Sequence, residues 1–142
     1  IIGDGPERRK LIKLVKKLSL KKEVKFIGKV PPEEISSNLK KIDFYINSSD
    51  FEGFPNSVVE ALSHNIPVIA SQSFGGINEI LVGKKFGFIY SSDNELKEIL
   101  KKIILQKFNF KINKVELFNH LSRFSEKENH KKYDSLFKSI IK

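Results

Sequence analysis

Apolar and polar residues alternate along the chain with two periods, one typical of helices and one typical of strands. Residues 7–18 carry leucine, isoleucine or valine every three or four positions, with Lys and Arg between them, which predicts an amphipathic helix. Residues 24–28 alternate and stop at glycine, which predicts a short strand. The same patterns predict helices at residues 31–39, 56–63 and 93–104, a short helix after Gly75-Gly76, helical segments over 108–142 joined near Phe124-Ser125, and strands at 44–47, 67–70 and 87–90.

Strands therefore alternate with helices through most of the chain. This alternation is typical of parallel βαβ units and predicts an α/β fold with a doubly wound, Rossmann-like parallel sheet. Ile1-Ile2 before a glycine turn indicates the end of a buried strand. In such sheets ligands bind at the carboxyl ends of the strands, which places the candidate binding loops at residues 3–6, 28–32, 48–56 and 71–78.

Composition restricts the class of protein. The chain has 142 residues, 39% of them hydrophobic, which predicts one compact domain with an ordinary core. No apolar stretch is long enough for a transmembrane helix, and the first residues lack the pattern of a secretory signal. Cysteine is absent, which excludes disulfides, thiolate metal sites and cysteine nucleophiles.

The formal net charge of +9 leaves three interpretations open. Of the 26 basic residues, only Arg8, Arg9 and Arg123 are arginine. Proteins that read bases or clamp phosphates favour the planar guanidinium, whereas lysines spread along amphipathic helices are typical of solvated faces. We rank a solvated surface first, an anionic membrane surface second and nucleic acid third.

Residues 48–62 hold the strongest candidate chemistry. Glu52 lies in the predicted loop and Glu60 in the helix that follows, and because helical side chains lean toward the helix N-terminus, both carboxylates can face one crevice. Gly53 permits close approach of a ligand, Pro55 starts the helix, and free N–H groups at residues 56–58 would make an anion site. The alternative, equally favoured by these residues alone, is that Glu60 complements the helix dipole and Glu52 is a solvated loop acid.

An ordered set of motifs runs from residue 1 to about residue 95. Its members are Gly3-Asp4-Gly5-Pro6, residues 24–28, Ser48-Ser49-x-x-Glu52-Gly53-Phe54-Pro55, Glu60-Ala61-Leu62, residues 67–70, and Gly75-Gly76-x-x-Glu79-Ile80. The set resembles the nucleotide-sugar-binding, C-terminal half of retaining glycosyltransferases of the GT-B fold, specifically glycosyltransferase family 4. The resemblance implies a donor-binding domain over residues 1–142, with residues 107–142 as its helical extension.

The resemblance also assigns roles to residues. It implies that Glu52 acts beside the transferred sugar and that Glu60 binds the ribose hydroxyls. Residues that would contact the sugar and diphosphate are Gly53, Phe54, Pro55, Asn56 and Ser57; residues that would contact the base or line the turn beside it are Gly28, Lys29, Val30, Gly3 and Gly5. For Gly28 a strand-ending role is equally compatible, and for Gly3, Gly5, Gly75 and Gly76 simple turn geometry is favoured.

The implied reaction is transfer of a glycosyl group, with retention, from a UDP- or GDP-sugar to a glycan, lipid-linked or polysaccharide-precursor acceptor. No Asp-x-Asp triplet occurs, so we expect no metal, and no cofactor besides the donor substrate. Compared with the family, the first strand and helix of this half and the N-terminal acceptor-binding domain are missing, so the isolated chain is expected to be inactive. We expect a cytoplasmic location. Lys10, Lys13, Lys16 and Lys17 on one predicted helix, together with the lipid-linked acceptors that many members of the family use, favour as a side hypothesis peripheral binding to the anionic inner face of a membrane.

Two other functions remain open from the sequence. One is a non-catalytic regulatory module that binds a nucleotide or phosphate. The other is a basic nucleic-acid-binding domain, which leaves the pairing of Glu52 with Glu60 unexplained. We therefore expect no nucleic-acid partner.

Overall fold

A computed structural model describes residues 1–73, 75–82, 85–105 and 110–141. The chain divides into two compact units, Ile1–Lys41 and Ile42–Lys142. The single donor-binding domain over residues 1–142 stays a prediction.

The first unit contains two helices, α1 at Arg8–Lys17 and α2 at Pro32–Leu39. The strand predicted over residues 24–28 is wrong in extent, because a single parallel bridge between Ile2 and Gly28 is formed instead. Gly3 and Gly28 have φ of 115° and 85°, both outside the β region, so the pairing does not continue beyond them.

The second unit is built on a parallel sheet of three strands, β1 at Tyr45–Asn47, β2 at Val68–Ser71 and β3 at Gly87–Tyr90. β2 lies between β1 and β3, with Ile69 opposite both Ile46 and Phe88. Val68, Ile69 and Ala70 are fully buried. Since successive residues of a strand point to opposite faces, both faces of the central strand are covered, as is typical of an α/β fold.

Helices connect and follow these strands. They are α3 at Asn56–Ser63, α4 at Ile77–Ile80, α5 at Asp93–Ile104, α6 at Lys114–Ser122 and α7 at Glu126–Ile140. Ser92 caps α5 by accepting a hydrogen bond from the Glu95 N–H at 3.3 Å, and the break at residues 124–125 between α6 and α7 is confirmed. The predicted beginning of the last helical region near Phe108 lies outside the described residues, as does Lys142.

The core of this unit lies against β2 and β3. Ile69, Phe88 and Tyr90 form a buried cluster, against which α5 packs residues that include Leu96 and Ile99. From α3, Val58, Ala61 and Leu62 are fully buried. Over the described ranges, no helix combines the length and apolar character that crossing a bilayer requires.

Candidate functional site

The loop after β1 is held in place by the last residue of that strand. Asn47 is 6% exposed, and its Nδ2 donates a hydrogen bond of 3.4 Å to Oε1 of Glu52. Its Oδ1 accepts the Ser49 N–H at 3.2 Å. One buried amide therefore contacts both the backbone of the loop and the carboxylate that the sequence singles out. This contact argues against Glu52 being a merely solvated acid.

The loop after β2 packs directly on the loop after β1. Ser71 Oγ donates to the Ser49 carbonyl, and the Gly76 N–H donates to the Gly53 carbonyl at 2.9 Å. Gly75 has φ of 115°, which confirms its turn geometry, but a Cβ there would also lie 1.7 Å from the Glu52 carbonyl oxygen. Only glycine fits this approach, and the sequence analysis did not predict it.

Tyr90 ends β3 at this same edge of the sheet. Burial, together with the carboxylates of Asp93 and Asp50, raises the pKa of the Tyr90 phenol. The shift further favours the neutral phenol beside Asp50, which lies between Asn47 and Glu52 in sequence.

Along the candidate loop, exposure changes residue by residue. Glu52 is half-buried and Gly53 is exposed, with nothing within 4 Å of a Cβ built on it. Pro55 is buried at the start of α3, and the ring of Phe54 is 42% exposed. The open backbone at Gly53, beside the Glu52 carboxylate, is where a ligand could approach closely.

The N-terminus of α3 corrects one prediction. The N–H groups of residues 56–58 are not all free. The Asn56 N–H donates to the Phe54 carbonyl and the Val58 N–H donates to the Pro55 carbonyl, both at a distance of 3.0 Å. The chain turns tightly into the helix, so its first carbonyls take up these donors. Within the described residues, only Ser57 of the three has an N–H without an acceptor, and the anion site is smaller than predicted.

Glu60 is exposed on α3, one turn beyond its start. Its backbone carbonyl accepts the hydroxyl of Ser63 at 2.7 Å, while its carboxylate has no partner among the residues that the structure describes. The helix dipole acts mainly within the first turn, so Glu60 is poorly placed for the purely dipolar role. Its carboxylate is available to a ligand, and the shared crevice with Glu52 stays a prediction.

The candidate residues of the first unit lie together around its parallel bridge. The Gly3 N–H donates to the Gly28 carbonyl at 2.7 Å, and both glycines have positive φ, so backbone geometry accounts for both. Gly3 and Gly5 line a surface cavity of about 270 Å³. Lys29 is exposed and Val30 half-buried. Contact of these residues with a nucleotide stays a prediction.

A cluster of aromatic side chains, Phe54, Phe124 and His120, connects the candidate loop to α6 and the turn after it. The rings of Phe54 and Phe124 lie 5.3 Å apart, and Phe124 meets the edge of His120 at 5.5 Å. His120 Nε2 lies 2.9 Å from the Ile80 carbonyl and donates to it, while Arg123 reaches Glu79 of α4 at 3.4 Å. Sequence reasoning missed this aromatic cluster, for which Phe124 at the predicted 124–125 break was the only signal.

Replacing Phe124 with alanine is expected to lower the free energy of unfolding by about 2 kcal/mol, because the half-buried ring contacts both Phe54 and His120. Urea unfolding followed by circular dichroism measures the change. Phe118→Ala is the matched control: its ring is 73% exposed, so a change within about 0.5 kcal/mol is expected. Equal losses in the free energy of unfolding of the two variants would contradict the role of the aromatic cluster.

The family model described as glycosyl transferases group 1 matches residues 1–114. An uncharacterized glycosyltransferase of Methanocaldococcus jannaschii is 41% identical over 81 residues, which are 57% of this chain and 20% of that protein. The apo form of the lipopolysaccharide outer core galactosyltransferase WaaB aligns with a TM-score of 0.83 at 24% identity, over 98% of this chain and 40% of that one. Anabaena HepE in complex with UDP aligns with a TM-score of 0.80 at 24% identity, over 96% and 40%.

The chain thus spans 20% of the length of the archaeal relative and 40% of the length of each solved chain. The two structures show the fold, and they confirm the predicted α/β architecture of one half of a GT-B glycosyltransferase. The family match covers all of the residues that carry the motifs, including the loop with Glu52. This chain therefore belongs to the glycosyl transferases group 1 family.

Proposed function

We propose that the chain is the donor-binding part of a retaining glycosyltransferase of family 4, which moves a glycosyl group from a nucleotide diphosphate sugar to an acceptor. One observation carries the proposal: Glu52 is half-buried and held by Asn47 beside the open backbone of Gly53, at the carboxyl edge of a parallel sheet. Family membership and the UDP bound to Anabaena HepE support the choice of ligand.

In this proposal the bond between the sugar and the diphosphate and the O–H bond of an acceptor hydroxyl break, a bond forms from the sugar to the acceptor oxygen, and the departing nucleoside diphosphate takes the proton. Glu52 lies beside the sugar, where its negative charge stabilises the positive charge that develops on the ring. The Ser57 N–H and the positive end of α3 stabilise the departing diphosphate, helped by the open loop backbone at Gly53. Because these groups belong to the protein, no metal is required.

The remaining candidate residues receive roles by the same resemblance. Glu60 accepts the ribose hydroxyls, since a carboxylate can accept two hydroxyls at once. Phe54, Pro55 and Asn56 shape the loop around the sugar and diphosphate, and the base would be held by residues of the first unit, namely Gly28, Lys29, Val30, Gly3 and Gly5. The donor is a UDP- or GDP-sugar.

The acceptor and the cellular location also belong to the proposal. A glycan, a lipid-linked sugar or a polysaccharide precursor would be bound by a domain outside this chain. We place the enzyme in the cytoplasm, peripherally on the inner face of the membrane. The six basic residues of α1, with no acidic residue among its ten, favour an anionic lipid surface.

Adding UDP or GDP to this chain is expected to slow amide hydrogen exchange at Gly53 and Ser57, which the structure leaves open or unpaired. Glu60→Gln is expected to weaken nucleotide binding about tenfold, because the ribose hydroxyls lose a charged acceptor. Exchange measured by NMR and affinity measured by calorimetry check the two expectations.

Glu98→Gln is the matched control, since Glu98 is an exposed glutamate on α5 paired with Lys101. It should bind nucleotide as the wild type does. A chain that shows no change with either nucleotide at millimolar concentration would overturn the proposal. Binding without transfer in the longer protein would favour the non-catalytic module instead.

A further inference from the structure

Asn47 is an unusual residue for the end of a buried strand. It is 6% exposed, and a buried amide destabilises the fold unless its donor and acceptor are both used. One loop uses both the donor and the acceptor of Asn47. Its Oδ1 accepts the Ser49 N–H at 3.2 Å, and its Nδ2 donates to Glu52 Oε1 at 3.4 Å. The neighbouring residue of β1, Ile46, is 47% exposed, so burial of the strand end is specific to Asn47.

The orientation of this amide follows from its partners. A backbone N–H can only donate, so the side chain must turn its oxygen toward Ser49. The amide nitrogen is then directed to the other side, where the Glu52 carboxylate accepts it. Ser49 therefore fixes which atom Asn47 offers to Glu52. No side chain that only donates or only accepts could serve both partners.

Other contacts fix the backbone of the loop but leave the carboxylate alone. Ser71 holds the Ser49 carbonyl and Gly76 holds the Gly53 carbonyl, one on each side of Glu52. Among the described residues, only Asn47 donates a hydrogen bond to the Glu52 side chain. We infer that Asn47 is a positioning residue that directs the Glu52 carboxylate toward the sugar of the donor, an inference that rests on the proposed function.

Asn47→Asp separates the two contacts of the amide. The new side chain still accepts the Ser49 N–H, but it loses the donor to Glu52 and sets a second negative charge beside it. We expect affinity for UDP-glucose or GDP-mannose, whichever the wild-type chain binds, to fall about tenfold or more, while affinity for the free nucleoside diphosphate changes less than about threefold. A residue that only stabilised the fold would weaken both ligands together.

The matched control is Asn113→Asp, which makes the same change in charge within the same unit. Asn113 caps α6 by accepting the N–H groups of Val115 and Glu116, and aspartate caps a helix equally well. This variant should keep both affinities. Calorimetry with the sugar nucleotide and with the free nucleotide gives the ratio for each variant.

The double variant Asn47→Asp/Glu52→Gln tests the contact without ligand. In this variant the donor and the acceptor are exchanged between positions 47 and 52. We expect Asn47→Asp to raise the amide exchange rates of Ser49 and Gly76, and the double variant to return them to the wild-type values. Sugar-nucleotide affinity should remain low, because the charge at position 52 is gone.

The possible failures are distinguishable. A wild-type chain that binds none of these nucleotides overturns the proposed function, and the inference falls with it. A wild-type chain that binds, with an Asn47→Asp variant whose two affinities fall in parallel or stay unchanged, overturns the inference alone. Loop exchange that the double variant does not restore would also overturn the direct contact between positions 47 and 52.

Discussion

Gly87→Ala is expected to lower the free energy of unfolding by about 3 kcal/mol or more, and so to leave a large part of the chain unfolded. Gly87 begins β3 opposite Val68 of the central strand. A Cβ there would lie 2.0 Å from the Val68 carbonyl oxygen and 3.0 Å from its nitrogen. Both atoms are backbone in the middle of the sheet, so neither can move without breaking the pairing of β2 with β3.

Urea unfolding followed by circular dichroism measures this loss. Gly5→Ala is the matched control, because nothing lies within 4 Å of a Cβ at Gly5 and its φ is not positive. It should change the free energy of unfolding by no more than about 0.5 kcal/mol. If both variants unfolded at the same urea concentration, the close approach of β3 to Val68 would be wrong.

Local patterns predicted the elements well because each is set by residues close in sequence. α2 begins at Pro32, as a proline followed by Glu33 and Glu34 in the first turn indicates. Asn65 adopts φ of 60° after α3, a conformation that asparagine tolerates. The pattern at residues 24–28 failed because Gly3 and Gly28 leave the β region with φ of 115° and 85°, so the pairing is limited to the bridge between Ile2 and Gly28.

The candidate site was predicted in part. The sequence identified the loop with Glu52 and Gly53, since a glycine beside an acid after a strand is a local signal. It missed Asn47 as the partner of Glu52, although a polar residue at the end of an apolar strand could have drawn attention to it. The contacts of Gly75 with Glu52 and of Phe124 with Phe54 join residues far apart in the chain, and no local pattern carries them. The role of each site residue in binding stays a prediction.

Gly75→Ala is expected to reduce sugar-nucleotide affinity about a hundredfold. A Cβ at this position would lie 1.7 Å from the Glu52 carbonyl oxygen and 2.8 Å from that of Gly53, and φ of 115° is already unfavourable for alanine. The two loops must separate to admit the methyl group, which displaces the Glu52 carboxylate from the sugar and breaks the bond from Gly76 to Gly53. Calorimetry with the sugar nucleotide measures the loss.

Gly53→Ala is the informative comparison, because it makes the same change on the other side of this contact. Nothing in the protein lies within 4 Å of a Cβ at Gly53, so the free energy of unfolding should stay within about 0.5 kcal/mol of the wild type. If the donor lies against this open backbone, the methyl group meets the ligand instead, and affinity should fall about tenfold in a chain of unchanged stability. Unchanged affinity in Gly53→Ala would place the donor away from this backbone. If affinity were unchanged in Gly75→Ala as well, the loop with Glu52 would lie outside the binding site, because the two glycines flank the contact between the two loops.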